Sequence, residues 1–177
     1  MERSADPSAL EVDADPDASE GWRSLHPRMV LRWRLDLLGT GLITAALLGA
    51  AELTARSGDL LDPLPRGLIP GLVVVVTAVT AAVWPPLVYR RWSYRLGADA
   101  LEIRRGVLVH RQSSVPYRRV QQVDLSRGPL DRLLGLTSAD LTTAAATTDG
   151  SIPGLAPSDA EHFRRRVLER AGRDDAV

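Results

Sequence analysis

No cysteine occurs among the 177 residues of this chain, which excludes structural disulfides, thiolate metal sites and cysteine nucleophiles. Lysine is missing as well: all 22 basic residues are arginine. With abundant Ala, Leu and Val, that pattern reads as a GC-rich coding sequence rather than a demand for guanidinium groups. The three histidines, His26, His110 and His162, fall in separate segments without metal-ligand spacing, so no metal site is predicted. Ser113 and Ser114 neighbour His110, yet nothing places an orienting acid or oxyanion hole beside them. No glycine-rich phosphate loop is present. The expectation is a chain with no catalytic residues and no cofactor, and therefore not an enzyme.

Large apolar side chains are nearly absent from residues 1–21, which carry seven acidic residues against Arg3 alone. Such a segment cannot bury enough surface to offset its ordering entropy, so a disordered acidic tail is expected there. It lacks the basic start and apolar core of a signal peptide. The rest of the chain holds 15 acidic residues against 21 arginines.

Charge is what residues 67–89 lack: 23 consecutive positions carry none, and Leu72-Val73-Val74-Val75-Val76 lies among them. As a helix this stretch covers about 34 Å, enough for a hydrocarbon core of about 30 Å. Pro70 falls in its first turn, where proline is tolerated. Trp84 and Tyr89 stand as interfacial aromatics, followed at once by Arg90 and Arg91. An earlier uncharged run, 37–51, reaches only about 22 Å by the same rise. Trp33 as interfacial anchor, Arg32 and Arg34 by snorkelling, and a Glu52–Arg56 pair at i,i+4 extend it. Two spans, about 34–55 and 67–89, make a transmembrane region over 22–91, with an interfacial or re-entrant first helix as the rival reading. The polar connection 57–66 is rich in Gly, Asp and Pro. Arg23, Arg28, Arg32 and Arg34 precede the hairpin, and Arg90, Arg91 and Arg95 follow it. The positive-inside rule then places both termini in the cytoplasm.

Beyond Arg91 the pattern alternates. Trp92, Tyr94 and Leu96 share one face, and Leu101 and Ile103 alternate with Glu102 and Arg104, as in strands. Arg105-Gly106 is a turn candidate, followed by a returning strand at 107–112, so a hairpin is predicted. Pro116 interrupts, and pairing resumes at about 119–126. Gly128-Pro129-Leu130-Asp131-Arg132-Leu133-Leu134-Gly135 reads as a turn or short helix closed by glycine. A further strand is expected at 138–144. Residues 145–154 read as loop, with room for one short strand around Ser151-Ile152. Ser158 and Glu161 have capping-box spacing, and Ala160, Phe163, Val167 and Ala171 form the apolar stripe of a final helix. The fold class is α+β.

Val115-Pro116-Tyr117-Arg118-Arg119-Val120-Gln121-Gln122-Val123, then Arg127-Gly128-Pro129-Leu130-Asp131-Arg132-Leu133-Leu134-Gly135-Leu136, resembles the YdbS-like membrane-bound bacterial PH-domain family. That family shows V-P-Y-x-R-I-Q-x-V and Q-G-P-L-Q-R-x-F-G-L. Arg127 and Asp131 depart from its glutamines, Leu134 from its phenylalanine, and Thr143-Ala144-Ala145 from its T-A-G. The resemblance covers roughly 22–170. It implies a PH-like domain over 92–173: a bent antiparallel sheet, or partial barrel, closed by a C-terminal helix. Only five or six strands are readable, against seven in a full PH barrel. The resemblance implies no enzymatic activity. It implies a role in the bacterial cell envelope, often beside a larger membrane protein with several such domains.

Pro116, Tyr117, Val120 and Val123 have a plain structural explanation in the corner and the strand after it. Tyr117, Arg119, Gln121, Gln122 and Arg132 are nevertheless the candidate partner-binding surface, because core packing does not require the polar members. Arg90, Arg91 and Arg95 are candidate contacts to lipid headgroups. Phosphoinositide recognition by PH domains usually needs basic residues in the first strand-to-strand loop, which here is the short, acidic Gly97-Ala98-Asp99-Ala100. Nucleic acid is not an expected partner, because the arginine excess is modest and no aromatic platform is exposed. The expected function is a membrane-anchored adaptor at the bacterial cytoplasmic (inner) membrane. Its partners would be lipid along the spans and either its own copies or a membrane protein with related PH-like domains. The alternatives are sensing or organising anionic lipid, and membership of an envelope transport or defence complex.

Overall fold

The computed structural model describes residues 21–54, 65–143 and 148–174. The acidic tail up to residue 20, most of the polar connection and Arg56 with its expected partnership lie outside the described residues. Two long helices come first, α1 (Arg28–Thr54) and α2 (Leu68–Arg90). Both are apolar around most of their circumference, and they leave Leu42, Ile43, Leu47, Leu72, Val75 and Val79 exposed. Water would not tolerate so large an uncovered apolar surface, whereas lipid is its natural solvent. Each helix is also long enough to cross a membrane. The first is continuous, and it packs along α2.

Small residues bring the two helices together. Gly41 and Ala45 of α1 are buried, as are Ala81 and Pro85 of α2. A methyl group at Gly41 would collide with the Thr77 side chain, so the missing Cβ is what permits this close approach. At the far end Glu52 Oε2 accepts the Gly67 amide at 2.7 Å. That bond places a carboxylate at the amide end of α2, where the helix dipole favours it. The Gly41–Thr77 and Glu52–Gly67 contacts define one antiparallel register.

The rest of the chain forms two three-stranded antiparallel sheets. The first has order β1-β2-β3, with β1 at Ser93–Leu96, β2 at Ala100–Arg105 and β3 at Arg111–Pro116. The second has order β4-β5-β6, with β4 at Val120–Ser126, β5 at Thr137–Thr143 and β6 at Thr148–Leu155. A single 3-10 turn, Tyr117–Arg119, carries the chain between the sheets. A short α3 (Pro129–Leu134) links β4 to β5, and α4 (Pro157–Asp174) follows β6. The stripe of Ala160, Phe163 and Val167 is buried as expected, and α4 packs on the 3-10 turn, β4 and β5. Helix α4 starts at Pro157, so Ser158 lies within its first turn rather than at the cap. The sheets are bent together without closing: β3 touches β6, and Gly150 lies under Ile103, Leu141 and Val115. This α+β arrangement agrees with a PH-like fold.

Two strand expectations need correction. The run Val107-Leu108-Val109 belongs to a loop, and β3 begins only at Arg111. Residues expected to be mostly loop form the eight-residue β6, which accommodates Pro153 and Gly154 through register shifts against β5. The core also reaches further upstream than the alternating region suggests. Arg23 makes an antiparallel bridge to Tyr94, and Leu25 and Met29 are buried with Trp92, Leu101, Leu141 and Ile152. Trp33 and Tyr89 pack against that same core, and the Tyr89 hydroxyl donates to the Leu25 carbonyl at 3.0 Å. These two aromatics join the spans to the domain rather than anchoring free in an interface. The segments before α1 and after α2 therefore meet in one folded body.

Candidate functional site

The strand ladders fix an orientation relative to the spans. Ser93, three residues past α2, pairs with Arg104, and the β1–β2 turn at Gly97 points the other way. The end of β2, the following loop and the start of β3 are therefore near the spans. Helix α3 is also near them. Arg32 Nε of α1 lies 2.8 Å from Asp131 Oδ1, and Arg28 Nη1 donates to the Leu134 carbonyl at 3.1 Å. The far end holds Gly97, the 3-10 turn and the last turns of α4: the Tyr117 amide donates to Asp99 O at 3.2 Å, and Arg170 Nη1 donates to Gly97 O at 2.7 Å.

On this frame the proposed partner surface divides. Tyr117 is only 1% exposed, its hydroxyl donates to Gly97 O at 3.1 Å, and Arg170 both stacks on its ring and donates to its oxygen. Tyr117 is thus a corner post of the core and is withdrawn from the surface, because burial leaves a partner nothing to touch. Arg119, Gln121 and Gln122 are exposed together at the far end. A register shift between Val120 and Gln122 supplies the reason, since the extra residue breaks alternation and turns both glutamines outward. Gln122 Nε2 donates to Asp124 Oδ1 at 2.6 Å. Strand β4 is also an outer strand of its sheet, so one backbone edge has no strand beside it among the described residues. Arg132 is exposed too, but it lies on α3 past the other end of β4, about 20 Å away at strand rise. It stands at the opposite end of β4 from Arg119.

The candidate headgroup contacts divide similarly. Arg90 and Arg91 are exposed where α2 leaves the membrane. Arg95 is engaged within the domain: its Nη2 donates to both Glu102 carboxylate oxygens at 2.9 Å, and its guanidinium lies 5.1 Å from the Trp22 ring. Glu102 on the neighbouring strand and Trp22 before α1 thus hold Arg95 against the domain, a role that Arg90 and Arg91 do not share with it. Arg32, expected to snorkel, instead pairs with Asp36 and Asp131.

Asp131 is the residue whose importance the motif comparison understated. Oδ1 faces Arg32 and Oδ2 accepts the Gly128 amide at 3.0 Å, so one nearly buried carboxylate both caps α3 and ties it to α1. Asp131→Ala leaves an N-terminal amide of α3 unsatisfied and deprives Arg32 of a partner. We expect a loss of about 2 kcal/mol, read by thermal unfolding of the detergent-solubilised chain through its tryptophan fluorescence. Asp131→Asn, which keeps an acceptor for Gly128, should lose less.

Among the described residues no three His, Asp or Glu side chains converge on one point. His110 Nε2 lies 3.0 Å from Arg91 Nη1, and His162 Nδ1 lies 2.8 Å from Arg165 Nη2, both on the surface. A shallow depression lined by Glu161, Arg164, Arg165, Leu168 and Glu169 is the outer face of α4 alone. What this geometry can do is hold a polar strip away from the membrane and a cationic base beside it.

Comparison with known proteins agrees with the architecture. The family model described as "Bacterial PH domain" matches residues 42–171. The UPF0699 transmembrane protein YdbS of Bacillus subtilis (strain 168) is 32% identical over 111 residues, 62% of this chain and 69% of that protein. No solved structure matches the chain.

Proposed function

This chain belongs to the bacterial PH-domain family and is a membrane protein, and we propose that it is a noncatalytic adaptor that binds a protein through the far end of β4. The observation that carries this reading is the outward strip Arg119, Gln121 and Gln122 on a strand that, among the described residues, has another strand on one side only. Core packing has no use for these side chains, and they stand on the end of the domain turned away from the spans. An outer strand offers main-chain donors and acceptors to an added strand, with neighbouring side chains setting specificity. A second copy of this chain, or a membrane protein with a related domain, is the partner such an edge fits. We place the domain on the cytoplasmic side of the inner membrane, because arginines flank the hairpin on the side where its ends meet the domain.

The test is purification of the full chain from its native membrane in a gentle detergent, with and without Arg119→Ala and Gln121→Ala. The expected result is a stoichiometric protein partner whose capture the double substitution weakens about tenfold, equivalent to about 1.4 kcal/mol. Capture unchanged by both substitutions, or a chain that runs alone, would overturn the reading.

A further inference from the structure

The Val107-Leu108-Val109 run has no place in the core. Leu108 is 84% exposed and Val109 66% exposed, at the tip of the loop 106–110 between β2 and β3. Gly106 holds that tip in shape: its φ is 119°, and a Cβ there would collide with the Val109 carbonyl oxygen. The chain thus uses a residue tolerant of that backbone conformation to keep two aliphatic side chains outside the fold.

The position of the loop identifies what covers it. Arg104 is level with Ser93, just past α2, and the chain runs on beyond it for two residues, about 7 Å, before the tip. It returns through His110, whose Nε2 lies 3.0 Å from Arg91 Nη1. Leu108 and Val109 are therefore carried beside the end of the second span, where hydrocarbon gives way to headgroups. Exposed Arg105 and Arg111 pair at the base of the loop, and exposed Arg91, preceded by exposed Arg90, contacts His110. An aliphatic tip with a cationic collar matches an anionic lipid surface, with carbon chains for the tip and phosphates for the collar. We propose that the loop 106–110 inserts into the lipid interface as a third membrane contact and fixes the tilt of the domain on the bilayer. This contact is independent of the partner strip on β4.

The natural chain has no cysteine, so Leu108→Cys creates a single labelling site for an environment-sensitive fluorophore. The full chain is reconstituted in phosphatidylethanolamine–phosphatidylglycerol vesicles, with Ala98→Cys, exposed in the β1–β2 turn at the far end and outside the partner strip, as the control. The expected result at position 108 is blue-shifted emission, quenching by shallow spin-labelled lipid and protection from aqueous iodide; position 98 should show iodide quenching only. Iodide quenching at 108 equal to that at 98 would overturn the proposal. So would protection at 108 from both quenchers, which would mean that protein, such as a second copy, covers the tip.

Discussion

Gly41→Leu is expected to separate the two spans. Even a single methyl at this position would collide with Thr77, and leucine adds three further carbons on a helix face with no room to receive them. Thr77 cannot swing aside without lifting α2, because the contact involves its Cβ as well as its branches. Overpacking of a tight contact costs about 1–3 kcal/mol, and in lipid no hydrophobic force between helices offsets it, since acyl chains solvate leucine as well as another helix does. The measurement is cross-linking in native membranes. The register set by Gly41–Thr77 and Glu52–Gly67 puts position 45 opposite 73, so Ala45→Cys with Val73→Cys should oxidise readily to a disulfide. Adding Gly41→Leu should abolish that cross-link, while Gly39→Leu, at a position open on all sides, should leave it intact. Equal cross-linking in the two backgrounds would refute the seam.

Gly154→Val should destabilise the joint between spans and domain by about 3 kcal/mol. Two separable costs contribute. The residue has φ of 67°, a conformation that β-branched side chains enter only with strain of order 1–3 kcal/mol. A Cβ would also stand 2.7 Å from Met29 Sδ and 3.0 Å from Met29 Cγ, where α1 rests on β6. The His26 amide donates to the Gly154 carbonyl at 2.9 Å, so a shift of this backbone disturbs the entry to α1 as well. A double-mutant cycle with Met29→Ala distinguishes the terms: relief of the clash should appear as a favourable coupling of about 1 kcal/mol, while the backbone strain persists. Strict additivity would show that Met29 does not press on Gly154 in solution.

The parts of the fold legible in the sequence are those where one physical demand acts alone. Absence of charge over 67–89 is dictated by the span itself, and the buried stripe of α4 follows from helical spacing. Residues 107–109 misled because an apolar run reads as strand whether its surroundings are core or something else; periodicity cannot say what lies opposite. The expectation of loop over 145–154, with one short strand at Ser151-Ile152, where β6 runs from Thr148 to Leu155, has the converse cause. Gly150, Pro153 and Gly154 look like turn residues, but there they serve close packing and shifts of register. The arginines were the least readable. Nothing local distinguishes Arg95, matched to Glu102 across a strand pair, from Arg90, which is exposed. Likewise the candidate surface placed Arg119 and Arg132 together, and only the length of β4 separates them. The buried role of Tyr117 was open in the sequence, because a corner tyrosine and an exposed one occupy the same motif.

The position of Leu25 and Met29 in the domain core has a consequence for biosynthesis. These residues leave the ribosome before either span, whereas Ile152 and Leu155, with which they are buried, follow more than a hundred residues later. At ordinary elongation rates the interval is roughly 6–25 s. Throughout it both spans must enter the membrane while their N-terminal flank waits without its core. The PH domain is in effect split by a membrane insertion, and its two parts can join only once the hairpin has delivered them to the same side. A chain whose second span failed to cross would leave Leu25 and Met29 on the opposite side from the sheets that bury them, so the core can close only after both spans are in place.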